Sequence, residues 1–185
     1  MANIVAVVRD FDKTLVNGYM QDPIFKAYKV DAKKFWDEVN ALPEKYMKEQ
    51  KVRVNPDTIY LNQFIRYTHE GKFKGLNNAA LHEYGKKLNF YDGVPDIFEK
   101  TKNLISDDPK YKEYDIKVEH YIISTGIAEV IKGSSVMPSV KDVWGCEFIE
   151  DNDSEGFWIK KPRLTIHLKQ GLFSKLIKEY DREME

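Results

Sequence analysis

The chain has 185 residues, of which 42% are hydrophobic and 13% aromatic, enough for one core plus a modest inserted subdomain, which excludes a disordered chain. Lys+Arg of 29 against Asp+Glu of 30 leaves it almost neutral and gives no bulk charge for a nucleic-acid partner or an anionic membrane. The single cysteine, Cys146, excludes an intramolecular disulfide and a thiolate-rich metal site, and reads as a packed side chain.

In chain order, Ile4-Val5-Ala6-Val7-Val8 is a continuous apolar run rich in β-branched residues, the pattern of a parallel strand buried on both faces. It is far short of the roughly 20 residues of a membrane span, and it lacks the basic lead of a signal peptide, so a cytoplasmic chain is expected. From about Asp22 to Leu88 the periodicity becomes helical. Residues 31–49 read as one amphipathic helix with Asp31 as N-cap, Phe35, Trp36, Val39 and Leu42 on its apolar side, and a kink or break at Pro43. Asn55-Pro56 signals a second helix start, with Pro56 in the first turn, and Asn77 to Leu88 predicts another helix.

Asp92-Gly93-Val94-Pro95 is a turn into a helix over about 94–105, with Ile97, Phe98, Thr101, Leu104 and Ile105 expected to face inward. Residues 106–115 read as a surface loop. Val118 to Ile123 is a second apolar strand, closing at Ser124-Thr125-Gly126 and followed by a short helix over about 126–132. Residues 147–150 and 157–160 flank a polar turn and predict a hairpin. Leu164 to Leu168 is a further β-type run, and Gly171 to Met184 reads as a final amphipathic helix.

The chemistry sits where the two strands end. Asp10 and Asp12, two residues apart in a turn after a strand, can divide the work of phosphoryl transfer. One carboxylate attacks phosphorus, and the other protonates the leaving alcohol and then takes a proton from water. Two close carboxylates beside a phosphate require a hard cation, and Mg²⁺ suits these oxygen ligands, with Asp10 and Asp12 holding it. Thr14 can steady the loop through backbone hydrogen bonds. Ser124 and Thr125 offer a hydroxyl and backbone amides as a phosphate cradle, and the Lys169 ammonium can offset phosphate charge. His69, His82, His120 and His167 match no zinc spacing and read as structural or solvated.

Asp10-Phe11-Asp12-Lys13-Thr14, then Ser124 closing an apolar strand, then Lys169 ahead of a helix together resemble the haloacid dehalogenase-like superfamily. Its first motif is Asp-x-Asp-x-Thr, its second a Ser or Thr after a strand, and its third a Lys or Arg, for which Lys160 and Lys161 are weaker candidates. The helical block between the first two motifs, the Gly93-Val94-Pro95 turn and the 147–160 hairpin resemble the phosphoserine-phosphatase-like branch.

The resemblance implies an α/β fold: a three-layer Rossmann-like core of mostly parallel sheet at 1–16 and 91–185, with an inserted all-helical cap at 17–90. It implies a phosphoric monoester hydrolase acting on a small phosphorylated metabolite through an aspartyl-phosphate. Asp10 is then the nucleophile, Asp12 the general acid and base, Thr14, Ser124, Thr125 and Lys169 the phosphate ligands, and Mg²⁺ the cofactor. Asp12 argues against the dehalogenase branch, which has no leaving alcohol to protonate.

Two departures mark the chain. Lys13 stands where glycine is common and brings a positive charge toward the mouth of the site. The family's acidic fourth motif has no counterpart before Glu185, so a shortened chain is expected. The alternatives are therefore a catalytically impaired binding or regulatory module, or phosphotransferase or mutase chemistry on the same residues.

Overall fold

The computed structural model describes residues 3–151 and 158–163. Lys169, His167 and the expected strand 164–168 and helix 171–184 lie outside the described residues. Four strands form one sheet in the order β1-β2-β3-β4: β1 (Asn3–Arg9), β2 (Ile116–Ile127), β3 (Asp142–Asp151) and β4 (Trp158–Arg163). β1, β2 and β3 run parallel, and β3 and β4 form the predicted hairpin. The helices are α1 (Asp22–Tyr28), α2 (Ala32–Gln50), α3 (Tyr60–His69), α4 (Asn78–Gly85), α5 (Val94–Ser106) and α6 (Ala128–Lys132). Among the described residues no helix is long and apolar enough to cross a membrane.

Between β1 and α5 the regular elements are all helices, as the periodicity from Asp22 to Leu88 predicts, and isolated bridges join Asp12 to Val16 and Val16 to Phe90. Asp31 caps α2 by accepting from the Lys34 amide at 3.0 Å, and Asn77 caps α4 through the Ala80 amide at 2.7 Å. The expected break at Pro43 is absent, and α2 continues through it for 19 residues. A proline removes one donor and crowds one carbonyl; here the flanking turns and the buried face of Phe35, Val39 and Leu42 hold the helix on course. Pro56 does not open α3, because the Asn55 side chain first makes its own turn on the Asp57 amide at 2.8 Å, and α3 begins at Tyr60. The stretch 106–115 holds a 3₁₀ helix, Pro109–Tyr114, started by Asp108 on the Lys110 amide.

Aromatic rings knit this block together and onto the sheet. Phe25, Phe35, Tyr67 and Phe73 contact one another at centroid distances of 4.8–6.2 Å, and Phe64 stacks on Phe73 at 4.5 Å and on Phe148 of β3 at 5.9 Å. The buried side chains of block and sheet form one continuous core. α4 lies directly against α6, where a side chain at Gly133 would collide with the His82 carbonyl, and His82 pairs with Glu129 at 2.9 Å.

Two burial expectations fail. β1 is not buried on both faces: Ile4, Val5 and Val8 are 56%, 44% and 41% exposed. The reason is its position, since among the described residues β1 is an edge strand pairing only with β2. On α5 only Val94 and Phe98 are buried, whereas Ile97 and Leu104 face outward at 41% and 71% exposure.

Candidate active site

Parallel pairing of β1 and β2 runs in register to Arg9↔Ile122, so Asp10 and Ser124 follow at the carboxyl ends of neighbouring strands. That is where open α/β sheets bind ligands. The end of β1 is braced from below. His120 Nε2 donates to the Phe98 carbonyl at 2.9 Å, which leaves Nδ1 to accept from Arg9 Nη1 at 2.7 Å. Arg9 also lies over the Phe98 ring at 5.1 Å. Burial holds the imidazole below its ordinary pKa, so His120, 1% exposed, is a neutral strut.

Beyond Arg9 the chain turns tightly. The amides of Thr14, Leu15 and Val16 converge on the Phe11 carbonyl at 2.9–3.3 Å, while Lys13 takes a left-handed conformation with φ 56°. Phe11 is fully buried and anchors the turn, so the flanking aspartates project from it. Asp10 is exposed and makes no hydrogen bond among the described residues. Asp12 is half-buried, and its Oδ1 accepts from the Met20 amide at 2.8 Å. Its pKa is pushed up to about 7, chiefly by burial; the Met20 amide opposes this and the Asp10 charge adds to it. The Lys13 ammonium makes no ion pair with either aspartate among the described residues, although its charge slightly opposes the rise at Asp12. It donates to the Tyr19 hydroxyl at 2.7 Å and lies 4.1 Å over that ring. Thr14 contributes its backbone amide to the turn, and its side chain is exposed.

β2 runs through Ser124-Thr125-Gly126 to Ile127, and α6 starts at Ala128, later than predicted. The expected helix N-terminus at Gly126 is therefore strand. The Ser124 Oγ accepts from the Gly126 amide at 2.9 Å, a small loop rather than a helix cap. Thr125 is half-buried, and its carbonyl accepts from Tyr60 at 3.1 Å and lies 3.5 Å from the Cys146 Sγ. Cys146 is thus buried, as predicted, with its thiol pushed upward in pKa by burial.

Met20 ties the two strand ends together. Its amide binds Asp12, its thioether sulfur accepts from the Ile127 amide at 3.1 Å, and its methyl occupies the space a side chain at Gly126 would need. Neither Met20 nor Gln21 carries a sequence signal for this role. Tyr60 had one, an aromatic with a polar handle at helical spacing, but spacing alone assigns it to the core.

The donor set at Asp10 and Asp12 is two carboxylates, with no Lys, Arg or His paired to either among the described residues. Such a pair fits a hard divalent cation that completes its shell with water and phosphate oxygens. Among the described residues no group of three or more His, Cys, Asp or Glu side chains could hold a metal. A cavity of about 580 Å³ opens to one side, between Val16, Asn17 and Tyr19, Asp22, Pro23 and Lys26 of the α1 region, and Leu88. Asp10, Asp12 and Ser124 do not line it.

The chain matches no protein-family model. A curated relative from Borreliella burgdorferi, described as an uncharacterized protein, is 38% identical over 148 residues; these cover 80% of this chain and 51% of that one. The chain thus spans about half the length of the curated relative it matches. Among solved structures, a phosphoserine phosphatase captured as its phospho-aspartyl intermediate analogue superposes with a TM-score of 0.59 at 15% identity, covering 97% of this chain and 73% of that one. A HAD family hydrolase from Salmonella enterica serovar Typhi gives a TM-score of 0.56 at 16% identity, over 97% of this chain and 53% of that one. A substrate-bound phosphoserine phosphatase gives 0.58 at 15%, over 98% and 73%. The chain therefore shares the α/β fold of these solved hydrolase and phosphatase structures.

Proposed function

We propose that the chain carries the active centre of a phosphatase-type hydrolase that cleaves a small phosphomonoester through an aspartyl-phosphate. The observation that carries this reading is the unequal treatment of the two aspartates. Asp10 is exposed and unbonded, free to attack, while Asp12 is clamped by Met20 and has a pKa pushed up to about 7. A group titrating near neutrality is suited to give a proton and then take one.

The Asp10 carboxylate forms a bond to phosphorus as the ester P–O bond breaks, and Asp12 delivers its proton to the departing alkoxide. Asp12, now ionised, takes a proton from the water that attacks the acyl-phosphate. That step releases inorganic phosphate and restores the Asp10 carboxylate. The Ser124 hydroxyl and the Thr125 segment receive the phosphate oxygens, and Lys169 is proposed as the countercharge. Asp10 and Asp12 would hold Mg²⁺, which when bound neutralises phosphate charge and aligns the ester with the nucleophile.

The test is Mg²⁺-dependent hydrolysis of p-nitrophenyl phosphate by this chain. Asp10→Asn is expected to lower kcat by on the order of 10³-fold or more. Asp12→Asn is expected to lower it by about 10²- to 10⁴-fold. Absence of turnover at saturating Mg²⁺ would refute the reading, and phosphate delivered to a sugar hydroxyl rather than to water would make the chain a transferase.

A further inference from the structure

The segment that receives phosphate in the reading above is poorly held by the sheet. Pairing of β2 with β1 ends at Arg9↔Ile122, and pairing with β3 jumps from Ile123↔Trp144 to Ile127↔Cys146. Ser124, Thr125 and Gly126 therefore fall in a gap of the ladder, and their position depends on side chains that reach them from elsewhere. From β3 comes only Cys146, whose thiol is a weak donor to the Thr125 carbonyl. The other ties come from the helical insertion: Met20 on the Ile127 amide, and Tyr60 on the Thr125 carbonyl.

Tyr60 is built for this contact. It is the first residue of α3, 5% exposed, and burial raises its phenol well above the usual range, so it stays protonated and can only donate toward the carbonyl. The buried Gln21 side chain lies beside the phenol oxygen. Gln21 is 1% exposed, and its Oε1 is a buried side-chain atom without a hydrogen-bond partner. A buried polar atom left unpaired costs stability. The Tyr60–Thr125 hydrogen bond thus runs from α3, in the insertion, to the end of β2.

We propose that Tyr60 is a positioning residue through which the helical insertion sets the phosphate cradle at Ser124–Gly126; its role toward phosphate rests on the hydrolase reading, its grip on the segment does not. Two measurements on the full chain separate these. Amide hydrogen exchange at Gly126 and Ile127 reads the segment directly, and titration with orthovanadate in the presence of Mg²⁺ reads the cradle.

Tyr60→Phe removes only the hydroxyl. It is expected to speed exchange at Gly126 and Ile127 about fivefold and to weaken vanadate binding by a similar factor, with Leu81 of α4 unchanged. Unchanged exchange at Gly126 in Tyr60→Phe overturns the proposal, as does acceleration shared equally by Leu81, which marks a general loss of stability. Faster exchange at Gly126 in a chain whose wild type binds no vanadate supports the tie to Tyr60 and overturns the hydrolase reading instead.

Discussion

In the helical block between β1 and α5 Phe25, Phe35, Phe64 and Phe73 are each 2% exposed or less, while in β1 Ile4, Val5 and Val8 keep 56%, 44% and 41% of their surface in solvent. Both segments carry dense apolar sequence. A helical block can supply its own neighbours, because each helix buries one stripe against the next. A strand needs neighbours on two faces and two edges, and among the described residues β1 has a partner on one edge only. Apolar sequence therefore states the environment an element is made for. How far that environment is met depends on what packs around it.

The comparison can be broken most sharply by equal truncations on the two sides. Phe64→Ala, which empties a site between Phe73 and Phe148, is expected to cost about 3–5 kcal/mol in a urea or guanidinium melt. Val5→Ala on β1 is expected to cost less than about 1 kcal/mol in the same melt. Equal costs would mean that the exposure of β1 does not describe the chain in solution. A smaller effect is expected at the seam of α4 and α6, where Gly133→Ala forces the helices apart and should cost about 1–3 kcal/mol. Next comes the α2 cap, with Asp31→Ala expected to lower stability by about 1 kcal/mol.

The last prediction concerns pH and falls on the sheet side. His120 is neutral in the fold, with its pKa lowered by burial. The unfolded chain binds a proton near pH 6.5, so this contribution is fully present above that value and is lost as pH falls through the lowered folded pKa. The unfolding midpoint should drop between pH 7.5 and pH 5. His120→Gln should flatten that slope, and an unchanged slope would remove His120 as the strut beneath Asp10.

Much of the fold was legible in the chain because periodicity and caps are local. Asp31 and Asn77 mark their helices to within a residue, and the hairpin of β3 and β4 lies where the polar turn at 151–156 places it. The paired aspartates are legible for the same reason, since turn and strand are adjacent. Burial was not legible for Ile97 and Leu104, because helical spacing tells which residues share a face and not what that face meets. Met20 and Tyr60 escaped notice at the site because their roles depend on contacts with positions 107 and 65 residues away.

Met20 and Gly126 also bear on how this sequence can change over time. The methionine methyl fills the volume that any side chain at 126 would claim, and its sulfur takes the amide next door. A side chain at 126 would displace the flexible end of Met20 and with it the bond to the Ile127 amide, and a shorter residue at 20 leaves a void beside Asp12, so a change at either position favours a compensating change at the other.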